Sequence, residues 1–234
     1  MKFDFIIIHE SGHEWMGTNI TTKDLADMWV HEGFTNYAEA LFTEYMWGKD
    51  AGNAYNFGVR KNIRNDRPII AHYGVNEEGS GDMYPKGSNM LHSIRESLGD
   101  DSLFRKIWRG INKIFYHKTV NSSDIENYIS QQAGFDYSKV FYQYLHTVQI
   151  PEFDFYFSAD RKKVFYRYTN CVEGFNLPLV LQNKTARIRI IPNEHWQSIS
   201  LKNDGQAALF NAKDINFLYY VTVKEGKERF VKDR

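Results

Sequence analysis

The stretch that constrains this chain most is FDFIIIHESGHEW, residues 3–15, in which His9, Glu10 and His13 make an H-E-x-x-H pattern. At 3.6 residues per turn, a helix sets His9 and His13 on one face a single turn apart, where both imidazoles reach one metal ion. Glu10 follows about 100° round the helix, placed to take a proton from a water at that ion rather than to bind the ion itself. Further along, Leu25, Met28, Trp29 and Glu32 recur at a spacing of three, four and seven, which turns Glu32 toward the same interior as its apolar neighbours. An unpaired carboxylate there is costly, and a metal ion removes the cost. Eighteen residues separate His13 from Glu32, enough for a turn and a second helix that returns antiparallel. His9, His13 and Glu32 then form a three-ligand set with a fourth position free, the arrangement of a catalytic zinc, one Zn2+ per chain.

The remainder of the chain is that of a folded protein. Aromatic residues make up 16% of it, too much apolar surface for a disordered polymer. Lys plus Arg and Asp plus Glu both number 29, so no net field draws nucleic acid or an anionic membrane to the whole molecule. No apolar run approaches the roughly 18 residues of a membrane-spanning helix. The single cysteine, Cys171, has no partner for an internal disulfide, so packing must hold the fold, with a metal as the one other aid open to it. An active-site helix starting so near Met1 leaves no room for a covering sheet, and a truncated N-terminus is expected. The compartment is therefore left open, since any signal peptide would be missing.

Taken in order, the pattern is helical as far as Val148. Thr22 is placed to cap the helix carrying Glu32, residues 51–63 read as another helix, and residues 65–82, rich in Gly and Asn, as a long loop. Pro85 suits a helix first turn, with Met90, Leu91, Ile94 and Leu98 as its apolar stripe. Leu103, Ile107, Ile111, Ile114 and Phe115 mark the next helix, Ser123 and Glu126 a capping box for the one after, ending near Gly134, and residues 138–147 the last. After Pro151 come short aromatic and β-branched runs, FDFYF, KVFYRY, PLVLQ, ARIRIIP, HWQSISL and NFLYYVTV, separated by turn formers. These predict a small antiparallel β-sandwich, giving an α+β chain with a helical unit over residues 1–150 and a β unit over 151–234. His195 stands alone there and carries no site, and the sequons at Asn19, Asn121 and Asn183 are weak matches.

H-E-S-G-H-E-W followed by W-V-H-E-G-F-T-N-Y-A-E resembles the zinc aminopeptidases of the aminopeptidase N family, which are gluzincins. Residues 81–91, GDMYPKGSNML, resemble that family's Y-x-K-G element. The resemblance implies the helical lobe of a thermolysin-like catalytic domain, and a zinc-dependent hydrolysis of N-terminal peptide bonds. By the same resemblance Tyr84 supports the oxyanion, and peptides are the substrate. Three departures go with it. His31 stands where the family usually has Asn beside its zinc Glu. The G-x-M-E-N element that holds a substrate's amino terminus is absent, and so is the sheet lobe that walls the cleft. The resemblance thus implies a folded, zinc-competent fragment with little aminopeptidase activity of its own. Its exposed apolar helix would favour self-association or pairing with the missing lobe. A non-catalytic truncated module, a gluzincin endopeptidase and a glycyl aminopeptidase stay open as alternatives.

Overall fold

A computed structural model describes residues 3–226, so the outer ends of both expected units, residues 1–2 and 227–234, lie outside the described residues. Helix α1 (Phe5–Gly12) is opened by Asp4, whose carboxylate accepts the Ile6 N–H. His13 follows as its C-cap, still in right-handed helical geometry, so the expected histidine spacing survives although the helix ends one residue before it. A short strand β1 (Ile20–Thr22) comes next, and Asp24, not Thr22, caps the 3₁₀ turn Leu25–Asp27 that leads into α2 (Trp29–Trp47). Thr22 is unavailable because β1 pairs in parallel with β2 (Lys118–Val120).

Helices α3 (Lys49–Val59), α4 (Pro85–Leu98), α5 (Asp101–Ile114), α6 (Ser122–Ala133) and α7 (Ser138–His146) fall near their predicted places. The capping box of α6 is formed by Asn121 and Asp124 rather than by Ser123 and Glu126. Ser122 is drawn inward instead, accepting from the Trp29 indole at 2.7 Å. Helix α4 is the centre of the bundle, with every residue from Pro85 to Ser97 buried.

Helices α2 and α4 approach so closely that a methyl group on Gly33 would lie 3.1 Å from the Met83 carbonyl oxygen and 3.3 Å from the Gly87 Cα. These are backbone atoms and cannot swing aside, so the E-G and K-G pairs of the two motifs have a packing reason. Gly33→Ala is expected to cost about 1–3 kcal/mol. At about 2–4 °C per kcal/mol for a chain of this size, thermal unfolding of the metal-free protein should show a loss of several degrees. An unchanged midpoint would mean that the helices can separate freely.

Beyond Pro151 the strands are β3 (Glu152–Phe157), β4 (Lys163–Thr169), β5 (Leu179–Gln182), β6 (Arg187–Ile190), β7 (Gln197–Ser200) and β8 (Thr222–Glu225). Two short helices, α8 (Asp204–Ala207) and α9 (Ala212–Leu218), precede β8. The four-stranded sheet runs β7-β4-β3-β8, and β5 and β6 form a separate hairpin. Pairing is antiparallel for β3 with β4, β4 with β7 and β5 with β6, but β8 joins β3 in parallel. The sheets are therefore small and mixed where an antiparallel sandwich was expected. The NFLYYVTV run splits, because Asn211 accepts the Lys213 and Asp214 N–H groups and starts α9 through Asn216, Phe217 and Leu218.

The buried apolar cluster runs without a break from Met16 to Val221. Tyr144 donates to the Tyr220 carbonyl at 2.7 Å, and the Tyr220 N–H donates to Ser93 at 2.8 Å, so the C-terminal segment is sewn to α4 and α7. Among the described residues no helix is long and apolar enough to cross a membrane.

Candidate metal centre

His9 and His13 from α1 meet Glu32 from the first turn of α2. One donor atom from each lies within 4.8 Å of the other two. The Glu32 carboxylate oxygen Oε2 is 3.1 Å from His9 Nε2 and 3.4 Å from His13 Nε2. Each ring is oriented from behind. His9 Nδ1 lies 2.8 Å from Glu39 Oε1, and His13 Nδ1 lies 2.9 Å from the Met16 carbonyl oxygen. Both partners can only accept, so both Nδ1 atoms carry the hydrogen and both Nε2 lone pairs face Glu32.

Two imidazole lone pairs around one carboxylate oxygen repel unless a cation or a proton lies between them. Without a metal, His9 takes the proton: burial opposes its charge, but the hydrogen bonds and charges of Glu32 and Glu39 outweigh it and raise its pKa to about 9. Two neutral nitrogens, one carboxylate and carboxylate or carbonyl support behind each ring are the donor set that zinc selects, so these residues fit the ion.

Glu10 is exposed on the cleft of about 840 Å³ that His9, His13, Glu32 and Tyr84 also line. Tyr84 follows the 3₁₀ turn Gly81–Met83 and precedes Pro85, the first residue of α4. The α2–α4 crossing brings its ring to 5.8 Å from that of His9, at 27°. Burial, then the charge of Glu32, pushes its phenol up to about 12, so it stays a hydrogen-bond donor. Beside it Lys86 is fully buried, its Nζ donating to the Thr147 carbonyl at 2.7 Å, and burial pulls its pKa down to about 8.

All five predicted site residues therefore come to one cleft. His31 does not join them through Nε2, which accepts the Thr22 N–H at 3.0 Å and ties β1 to α2. Burial lowers its pKa and keeps the ring neutral. Two groups escaped the sequence reading: Glu39 behind His9, and Tyr55, whose hydroxyl donates to the far oxygen of Glu39. Glu39 had a readable signal, seven residues after Glu32 and so on the same face of α2. Tyr55, on another helix, had none.

A helix pair that presents two imidazoles and a carboxylate to one point, with a free carboxylate and a phenol on the same cleft, is the framework of a metallopeptidase. The Peptidase family M1 domain model matches residues 2–144, more than half of the chain, and the chain belongs to that family. Aminopeptidase N of Lactococcus lactis subsp. lactis is 28% identical over 146 residues, covering 57% of this chain and 17% of the relative. Probable aminopeptidase 2 of Sulfurisphaera tokodaii is 24% identical over 240 residues, covering 94% and 30%. Among solved structures, Legionella pneumophila aminopeptidase A in complex with aspartic acid shares the fold at a TM-score of 0.66 and 17% identity, covering 96% of this chain and 27% of that one. A mutant M1 zinc metallopeptidase from Deinococcus radiodurans, bound to a Tyr-Ser-Ala substrate, gives 0.54 at 24% identity, covering 62% and 33%. The chain thus spans about a third or less of the length of each of these proteins.

Proposed function

We propose that this chain carries the zinc centre and proton-transfer groups of an aminopeptidase that hydrolyses N-terminal peptide bonds. The observation that carries the reading is the convergence of His9, His13 and Glu32 on one point of a cleft that Glu10 and Tyr84 share. The relatives' names, aminopeptidase N and probable aminopeptidase, support the substrate class. Zinc, when bound by His9, His13 and Glu32, supplies a Lewis acid that lowers the pKa of water and polarises a carbonyl. The Glu10 carboxylate takes the proton of the attacking water and delivers it to the leaving amine. The Tyr84 hydroxyl donates to the oxygen of the scissile carbonyl as it gains charge. Glu39 and the Met16 carbonyl hold the two imidazoles in the tautomer that leaves Nε2 free.

Residues 1–150 are read as the helical lobe of a thermolysin-like domain and residues 151–234 as an appended β-rich unit. Phe5, Ile6 and Ile7 are more than half exposed on α1. That apolar face is read as a surface for self-association or for a lobe such as the one that precedes these motifs in the aminopeptidase N family.

The test is hydrolysis of aminoacyl-coumarin substrates by the 234-residue chain alone and by a version extended upstream with such a lobe. Chelator-sensitive turnover is expected in the extended form, with little in the chain alone. Equal activity in both would show that the group holding the substrate's amine lies within these residues. Absence of activity in both, with zinc bound, would favour the non-catalytic reading.

A further inference from the structure

We propose that Tyr55 is a positioning residue for the metal centre: its hydroxyl holds the buried Glu39 carboxylate in the orientation that aims His9. The inference rests on the zinc reading above and adds a residue from a third helix to it. Glu39 lies on α2 and is 1% exposed. Its Oε1 accepts from His9 Nδ1 at 2.8 Å and from Asn36 Nδ2 at 2.9 Å, while its Oε2 accepts from the Tyr55 hydroxyl. Among the described residues no Lys or Arg pairs with Glu39, so its charge is balanced only through His9 and by these donors.

The division between the two oxygens is what gives Tyr55 its role. Oε1 serves His9, and Oε2 is tied to Tyr55 alone among the described residues. Without the phenolic hydroxyl the carboxylate has an unpartnered buried oxygen and is free to rotate, and rotation breaks the alignment of Oε1 with His9 Nδ1. The direction of the His9 Nε2 lone pair depends on that bond. Burial and the adjacent Glu39 charge hold the Tyr55 phenol well above its ordinary pKa, so it remains a donor throughout the working pH range. Tyr55 also lines the cleft occupied by His9, Glu10 and Tyr84.

The fold makes a specific provision for this contact. A side chain at Gly52 on α3 would lie 2.7 Å from Glu44 Cβ and 2.9 Å from the Ala40 carbonyl oxygen, so α3 lies directly on α2. Tyr55 is three residues further along α3, on the same face as Gly52, and so reaches Glu39.

A competing role for Tyr55 is that of a staple between α3 and α2, with no influence on the metal. The two separate in a double-mutant cycle on the 234-residue chain: Tyr55→Phe, Glu39→Gln and the pair. Zinc affinity is read by competition with a chromophoric chelator, and the visible bands of the cobalt-substituted protein report ligand geometry. Tyr55→Phe is expected to weaken zinc binding about 10-fold and to shift the cobalt bands, Glu39→Gln to weaken it about 10- to 100-fold. In the Glu39→Gln background, Tyr55→Phe should change affinity less than 2-fold, because its path to the metal is already cut.

Tyr55→Phe within 2-fold of the parent, or effects that multiply in the double variant, would overturn the positioning role. If the parent chain binds no zinc, or binds it as tightly after His9→Ala, the metal assignment itself falls, and the role of Tyr55 with it. Tight, His9-dependent binding that Tyr55→Phe leaves untouched sinks the role of Tyr55 alone.

Discussion

Replacing Glu10 with Gln is expected to leave about one equivalent of zinc in place and to lower aminopeptidase turnover by 10²- to 10⁴-fold, the range that general-base catalysis commonly contributes. The separation of binding from chemistry follows from position. The three donor atoms that converge belong to His9, His13 and Glu32, and Glu10, one residue from His9, is exposed on the same cleft. The amide of Gln keeps the size of the carboxylate and can accept a hydrogen bond, but cannot hold the water's proton. The measurement is turnover in the extended form of the chain, with zinc content determined on the same preparation. A loss of only a few-fold would mean that another group takes the proton. Loss of zinc together with activity would mean that Glu10 has been misplaced among the proton-transfer groups.

Removal of a ligand should act in the opposite sense, on the metal first. His9→Ala is expected to reduce retained zinc, after loading and dialysis, from about one equivalent to near none. It also leaves the buried Glu39 without its imidazole partner, so some loss of stability is expected with it. His13→Ala is the cleaner companion, because the His13 ring rests on a backbone carbonyl and no buried carboxylate is orphaned. Both variants should lose the rise in unfolding midpoint that zinc gives the parent, a stabilisation of about 4 kcal/mol when free metal is 1,000-fold above its dissociation constant. Stoichiometric zinc in either variant would remove that histidine from the ligand set.

The convergence of the candidate ligands His9, His13 and Glu32 was readable because their spacing is a local matter. A helix repeats every 3.6 residues wherever it lies, so His9 and His13 share a face, and the apolar run ending at Glu32 turns that carboxylate inward without reference to any other part of the chain. Tyr84 was found through the motif around it, and its place at the start of a helix through Pro85. The helices before Pro151 were legible for the same reason, although α2 begins at Trp29 rather than just after Thr22, α3 ends at Val59 rather than near residue 63, and α8 and α9 were not foreseen. Thr22 was given the cap that belongs to Asp24 because both residues are competent caps; the choice was made by β2, almost a hundred residues away, which pairs with Thr22.

What the sequence determined by itself is therefore the helices before Pro151, the residues that converge on the cleft as candidate ligands and base, and the peptidase family of that part of the chain. Tertiary structure decided the rest: the closeness of α2 to α4 at Gly33 and Gly87, which carries Tyr84 to His9; the parallel entry of β8 beside β3; the diversion of His31 to the Thr22 backbone; and the chain of contacts from Tyr55 through Glu39 to His9. Each joins residues whose separation along the chain says nothing of their distance in space. Helical periodicity is paid for by local hydrogen bonds and can be read one segment at a time, whereas these contacts exist only once several helices have packed and a buried carboxylate has had to find its donors wherever the neighbouring helix offers them.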